Sequence, residues 1–74
     1  MKYFVYVLRS NSSGSLYIGS SAAPDQRLAS HNAGRVRSTK SARPWVRIHL
    51  EEFQDRRTAE KRERYLKSGY GRRW

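Results

Sequence analysis

Apolar and polar residues change their spacing several times along this chain, and these changes divide it into short strands and helices. Residues 3–9 alternate and are rich in Tyr, Phe and Val, which is typical of a strand. The turn-forming residues 10–15 follow, and residues 16–19 resume β character, so the two segments predict an antiparallel hairpin. Pro24 predicts the first turn of a helix that runs to about Asn32 and stops at Gly34.

The second half of the chain predicts one more strand and one more helix. Residues 45–52 alternate, so we expect a half-buried strand with an apolar inner face (Val46, Ile48, Leu50) and a solvent face (Arg47, His49, Glu51). Asp55 is expected to cap a helix from Arg56 to Lys67. The predicted fold is α+β in the order β-β-α-β-α, with a small three-stranded antiparallel or mixed sheet flanked by helices.

Length and composition narrow the class of protein. With 74 residues, we expect residues 1–74 to form a single domain, and the absence of cysteine excludes disulfides and thiolate metal sites. The apolar run at the N-terminus is too short and too aromatic for a secretory leader. No segment approaches the roughly 20 apolar residues of a spanning helix. We therefore expect a soluble cytoplasmic protein with no membrane association.

The charge balance points to a polyanionic partner. The sequence contains sixteen Lys and Arg residues but only six Asp and Glu residues, which gives a formal net charge of +10. We expect the acid-free stretch 34–43 and the C-terminal residues to follow a nucleic-acid backbone, through Arg35, Arg37, Lys40, Arg43, Arg72 and Arg73. Tyr70 and Trp74 would stack on unpaired bases. The same charge also fits a small structural protein bound to ribosomal RNA.

Five side chains suit phosphodiester chemistry, namely Tyr6, Tyr17, Arg27, His31 and Glu63. Arg27 and His31 are four residues apart and share one helix face, where both would face an anion. The alternatives are a solvated helix face for this pair and ordinary packing for the two tyrosines. Their order and spacing, rather than any one of them, support a catalytic role.

Glu63 lies on the stripe of the second helix that should meet the sheet, between Ala59 and Leu66. A carboxylate there is unfavourable unless it is paired or holds a cation. One glutamate, with waters and phosphate oxygens, is a normal ligand set for Mg²⁺. The alternative is an ion pair, either with Lys67 one turn further along or with a neighbouring arginine.

These residues and the sequence around them resemble the GIY-YIG nuclease family. Phe4-Val5-Tyr6 stands where the family has its first motif, and Tyr17-Ile18-Gly19 matches the second. The sequence beyond these motifs is similar to that of the single-domain bacterial subgroup and of the N-terminal nuclease domain of the excision-repair incision subunit. The matching stretches are 17–20, 31–34, 38–41, 43–45 and 62–69.

The resemblance implies an endonuclease that cuts DNA rather than RNA, with a role in DNA repair or processing. Glu63 would hold one Mg²⁺ or Mn²⁺ ion, and Arg27 would neutralise charge on the phosphate. Tyr6 or His31 would deprotonate the attacking water, and Tyr17 would orient it. Targeting would come from the chain's own loops, a homodimer or a protein partner.

The sequence also departs from the family pattern. The first motif keeps only Tyr6 of its three residues, and the asparagine that many members carry after the glutamate would fall beyond Trp74. The alternative hypothesis is therefore a nucleic-acid-binding module of the same fold that is weakly active or inactive.

Overall fold

The computed structural model describes residues 2–68, which form three strands and two helices in the predicted order. The strands are β1 (Tyr3–Ser10), β2 (Leu16–Ser21) and β3 (Trp45–Phe53). The helices are α1 (Pro24–Asn32) and α2 (Arg56–Lys67), and one short 3₁₀ turn (Lys40–Ala42) interrupts the loop before β3. The β-β-α-β-α prediction is confirmed.

The sheet is antiparallel throughout, in the order β2-β1-β3. β1 is the central strand and side chains pack on both of its faces, so four consecutive residues of β1 are buried (Val5, Tyr6, Val7, Leu8). Successive side chains of β1 point to opposite faces of the sheet, but both faces are covered, so the buried residues form a continuous run.

Each face of the sheet packs against one helix. Val5 and Val7 join Ala59 and Leu66 of α2 in one cluster. On the opposite face, a second cluster contains Tyr6, Leu8 and Trp45, with Tyr17, Leu28 and Ala42 packed against it. The two small clusters hold β1 between them, and the aromatic side chains of the second cluster carry the hydroxyls of the candidate site.

The prediction of a buried apolar face on β3 is wrong. Val46, Ile48 and Leu50 are 45%, 44% and 42% exposed. The pairing of β1 with β3 slips by one residue, from Val7↔His49 to Leu8↔Arg47. Such a bulge changes which face the following side chains occupy.

The bulge turns polar side chains of β3 inward on both sides. Cross-strand partners share a face, so Arg47, opposite Leu8, lies on the α1 side and reaches Asp25, with 2.7 Å between Nη1 and Oδ1. Glu51, opposite Val5, lies on the α2 side. The predicted solvent face of β3 is thus the more buried one.

Glu51 and His49 correct two further expectations, because neither is simply solvated. Glu51 accepts two hydrogen bonds from Arg62 of α2, at 2.8 and 3.0 Å, and lies 2.8 Å from Nε2 of His49. The Arg62 guanidinium, followed by His49, lowers the pKa of Glu51. This two-point ion pair fixes α2 to the sheet.

The predicted cap of α2 is confirmed. The side chain of Asp55 accepts a hydrogen bond from the backbone N–H of Thr58 at 2.8 Å. Capping of this kind stabilises a helix by about 1 kcal/mol. It sets the start of α2, and with it the residues that face the sheet.

Candidate active site

Four of the five predicted catalytic residues meet on the α1 side of the sheet. The ring centroids of Tyr17 and His31 are 4.8 Å apart, and that of Tyr6 lies 6.3 Å from Tyr17 and 6.0 Å from His31. Arg27 interacts with the hydroxyls of Tyr6 and Tyr17, and the Tyr6 hydroxyl makes the larger contribution to its raised pKa. Two phenols, an imidazole and a guanidinium therefore share one small volume.

The hairpin register places the two tyrosines on one face. Tyr6 is opposite Gly19, and Leu8 is opposite Tyr17. The ring of Tyr6 lies over Gly19 so closely that a Cβ on Gly19 would be 2.6 Å from Oη of Tyr6. Gly19, the glycine of the second motif, has no side chain, and this leaves the space that the Tyr6 hydroxyl occupies over β2.

Arg27 and His31 share a face of α1, as predicted, but that face is not solvated. His31 is 0% exposed, while Arg27 is only partly buried. Asn32, at the end of α1, exchanges two hydrogen bonds with the backbone of Trp45, at 3.0 and 2.6 Å. These bonds fix the end of the helix against β3 and hold the imidazole in place.

A chain of hydrogen bonds runs from Tyr6 into the loop before β3. Oη of Tyr6 lies 3.3 Å from Nε2 of His31, and Nδ1 of His31 lies 2.8 Å from Oγ1 of Thr39. The Thr39 hydroxyl donates to the carbonyl of Val36 at 3.3 Å. Since this uses its proton, Nδ1–H of His31 donates to Thr39, and Nε2 accepts from the Tyr6 phenol.

The titration behaviour of the two rings agrees with this assignment. Burial raises the pKa of Tyr6, and the hydrogen bond from Arg27 opposes the increase. Burial also lowers the pKa of His31, and the charge of Arg27 adds to the decrease. At neutral pH these shifts keep Tyr6 a phenol and His31 a neutral imidazole, as the O–H···N bond requires.

Glu63 extends from α2 toward β2, on the other side of the sheet. Its neighbours on the inward stripe, Ala59 and Leu66, are buried. Ser20 donates to Oε1 of Glu63 at 2.5 Å, and Nζ of Lys67 lies 2.6 Å from Oε2. The alternative ion pair with Lys67 is therefore present, together with a hydroxyl contact that the sequence analysis did not foresee.

The donor set at Glu63 suits a hard cation with few protein ligands. Within residues 2–68 no three His, Cys, Asp or Glu side chains cluster as a metal site. Glu63 and the Ser20 hydroxyl offer oxygen ligands, and the Lys67 side chain that contacts Glu63 is 53% exposed. One carboxylate with waters and phosphate oxygens fits Mg²⁺ or Mn²⁺.

A cleft of about 340 Å³ opens beside these groups. Its lining residues are Leu16, Tyr17, Ile18 and Lys67. Tyr17 belongs to the aromatic group and Lys67 contacts Glu63, so the cleft borders one residue from each side of the candidate site.

The predicted basic loop is exposed as expected. Its four basic side chains face solvent and, within the described chain, form no ion pair (Arg35, Arg37, Lys40, Arg43). Arg43 donates instead to the carbonyl of Lys40 at 2.7 Å. The remaining predicted nucleic-acid contacts lie outside the described residues (Arg72, Arg73, Tyr70, Trp74).

The contacts of Thr39 and Ser20 were not predictable from the sequence. Thr39 lies in a basic, aperiodic loop that predicts solvent exposure, yet it is 2% exposed because it lies against His31 and Trp45, whose Nε1 donates to its carbonyl at 2.9 Å. Ser20 follows the second motif, and strand alternation from Gly19 predicts only that it faces α2. No local signal in the sequence marks either contact.

Comparison with known proteins supports a catalytic domain. A family profile described as the GIY-YIG catalytic domain matches residues 2–74. A UPF0213 protein of Staphylococcus haemolyticus is 35% identical over 68 residues, covering 90% of this chain and 82% of the relative. The structure-specific endonuclease subunit slx1 of Schizosaccharomyces pombe is 47% identical over 49 residues, covering 58% of this chain but 18% of that protein.

A solved structure gives the same fold. The solution NMR structure of a UPF0213 protein from Bacillus halodurans superposes with a TM-score of 0.55 at 26% identity, covering 90% of this chain and 71% of that chain.

Among the helices of residues 2–68, none has the length and apolar character to cross a membrane.

Proposed function

This chain belongs to the GIY-YIG catalytic-domain family, and from that premise we propose that it is a divalent-metal-dependent endonuclease that hydrolyses phosphodiester bonds in DNA. The observation that carries the proposal is the convergence of Tyr6, Tyr17, Arg27 and His31. The partly buried Glu63 joins them from the α2 side of the sheet, and its charge acts on Tyr6. The +10 charge and the exposed basic loop supply affinity for a polyanion. By their names, two fungal relatives are structure-specific endonuclease subunits, which supports nucleic acid as the substrate.

Tyr6 is the better of the two candidate bases. Both ring nitrogens of His31 are engaged, by Tyr6 and by Thr39, so a water would lose its proton to His31 only through Tyr6. The Tyr6 oxygen would take a proton from the attacking water while its own proton passes to Nε2 of His31. The new imidazolium would keep its Nδ1–H bond to Thr39.

Arg27 would stabilise negative charge at the reacting centre, although its own charge disfavours the imidazolium form of His31. Its guanidinium already interacts with the Tyr6 hydroxyl and is only partly buried, so it can face a phosphate as well. A fixed positive charge there would stabilise both the developing phenolate and the charge on the phosphate in the transition state. Tyr17, which is more exposed than Tyr6, would orient the water and the phosphate.

Glu63 and Ser20 would hold the divalent cation. When bound, the cation supplies Lewis-acid polarisation of the phosphate and stabilises the leaving oxygen. The chain would position the cation: Ser20 would orient the Glu63 carboxylate, and the Lys67 ammonium, which contacts Oε2 in this structure, would have to move away.

A nucleic-acid-binding module without cleavage is the second candidate. It is favoured by the engagement of both Glu63 oxygens within the protein and by a Tyr6 pKa that is raised rather than lowered. Both features belong to a resting site that a cation and a phosphate would have to rearrange.

Cleavage assays separate the two candidates. The full chain is incubated with labelled single-stranded, duplex and branched DNA, and with RNA of the same sequence, in Mg²⁺, Mn²⁺ or EDTA. A nuclease cuts only with metal, Glu63→Gln abolishes cutting but keeps binding, and the matched variant Glu60→Gln, on the outside of α2, cuts normally. Salt-sensitive binding by all three proteins with no cutting would establish the binding module instead.

A further inference from the structure

The solvent face of α2 carries a row of cations that the catalytic site does not use. Arg57, Lys61 and Arg64 are spaced i, i+4, i+7, and all three are exposed. At 100° per residue this row lies opposite the inward stripe that contains Glu63. The row, called here the α2 stripe, therefore points away from the sheet and from the candidate active site.

The other cations of α2 have acidic partners. Arg56 pairs with Glu60, Arg62 with Glu51, and Lys67 with Glu63. Within residues 2–68, no ion pair involves a member of the α2 stripe. Arg57 feels the charge of Asp55, but that carboxylate caps the helix at Thr58. The stripe is thus unneutralised positive charge.

Helix stability does not explain this arrangement. Arg57 and Lys61 are like charges at i and i+4, which destabilises a helix by a few tenths of a kcal/mol. Arg56 and Arg57 also stand in the first turn, which contains no acidic residue, and cations there oppose the helix dipole. A polyanion lying along the stripe would reverse both effects.

We propose that the α2 stripe is a second nucleic-acid backbone site, so that the domain holds two nucleic-acid segments at once. The inference rests on the proposed function, because the first segment would bind at Tyr6, Tyr17, Arg27 and His31, called here the catalytic cluster. From Arg57 to Arg64 the stripe is about 10 Å long, which corresponds to roughly three phosphates along one strand. Since α2 separates the stripe from the catalytic cluster, one straight duplex cannot occupy both.

A bridging assay in EDTA tests this without cleavage. A biotinylated duplex on beads captures a second, fluorescent duplex when the wild-type chain is added. The variant Arg57→Gln/Lys61→Gln/Arg64→Gln should capture about tenfold less, and its binding to DNA should lose about three units of salt dependence. The control Lys2→Gln/Arg9→Gln/Arg56→Gln loses the same net charge elsewhere and should bridge as wild type does.

Two results would overturn the proposal: equal bridging by wild type and the α2-stripe variant, or equal losses in the variant and the control. The α2-stripe variant should melt at or above the wild-type temperature, because the substitutions remove like-charge contacts on an exposed face. Bridging that depends on the stripe in a protein that never cuts DNA would refute the proposed nuclease and leave the second site standing.

Discussion

The hydroxyl of Tyr6 and Nε2 of His31 lie 3.3 Å apart inside the protein, although 25 residues separate them along the chain. Tyr6 comes from the central strand and His31 from the first helix, and both are almost fully buried. Because the Thr39 hydroxyl accepts a hydrogen bond from Nδ1–H, Nε2 of the imidazole is left to accept one from the phenol. The proposed catalysis depends on this relationship.

Thr39→Val tests whether the orientation of His31 matters. Without the hydroxyl, Nδ1–H of His31 loses its acceptor, so the imidazole is free to take the other tautomer or to rotate. We expect kcat to fall by about tenfold or more, within the contribution that general acid–base catalysis makes, with KM nearly unchanged. Thr39→Ser keeps the hydroxyl and should restore the rate. Equal kcat in the valine variant and wild type would contradict the assignment.

The lowered pKa of His31 predicts a specific response to acid. The native pKa lies below the ordinary value of 6.5, so between the two values the unfolded chain binds more protons than the native protein. The free energy of unfolding should therefore fall as the pH decreases below 6.5, and denaturant titrations should show less of this fall in His31→Asn. His49→Gln serves as the comparison and should keep the His31-dependent fall.

The pH dependence of cleavage should reflect the titration of His31. A protonated His31 cannot accept the Tyr6 proton, so activity should decrease at a pH below 6.5. A pH–rate profile with its acid limb above 6.5 would show that another group controls the reaction.

Lys67→Met tests the competition between the ammonium and a metal ion for Glu63. The substitution removes a cation 2.6 Å from Oε2. We expect Mn²⁺ to bind more tightly, by up to about fivefold if the ion pair contributes about 1 kcal/mol, as measured by Mn²⁺ titration followed by electron paramagnetic resonance. Lys61→Met, on the outer face of α2, should leave the affinity unchanged. Unaltered Mn²⁺ binding in Lys67→Met would show that the metal does not replace Lys67.

Gly19→Ala tests the close approach of Tyr6 to β2. A Cβ at this position would lie 2.6 Å from Oη and 2.7 Å from Cζ of Tyr6. We expect a loss of about 1–3 kcal/mol in the free energy of unfolding, as for other overpacked sites. In the background Tyr6→Leu, whose side chain does not reach across Gly19, the same substitution should have much less effect. Thermal or denaturant unfolding of the four proteins gives this cycle.

The elements of the fold were predictable because each has a local cause. Pro24 and Asp55 start the two helices, the turn residues 10–15 close the hairpin, and the predicted strands differ from the observed ones by one or two residues. The candidate site residues could be selected as a set, because their order and spacing are visible in the linear sequence, and four of the five lie together in the structure. Their assignment to roles depended on the resemblance to a family rather than on the pattern.

The faces of β3 were not predictable. Alternation placed Val46, Ile48 and Leu50 on one inner face, whereas all three are about half exposed and the bulge at the Val7–Leu8 step puts Val46 and Leu50 on opposite faces. A bulge arises from pairing with a strand about 40 residues earlier, so no window within β3 contains its cause. The inward position of Glu51 depends equally on Arg62, which comes from another element.

The sequence alone therefore determined the order of strands and helices, the positive charge and the chemical groups available, because short-range periodicity, capping and composition are properties of neighbouring residues. Only the tertiary structure decided that His31 is buried, that Thr39 orients it, that Ser20 and Lys67 engage Glu63, and that the α2 stripe faces away from the catalytic cluster. Each of these results from packing between elements distant in the chain, where burial and hydrogen-bond geometry are set by contacts that no local pattern encodes.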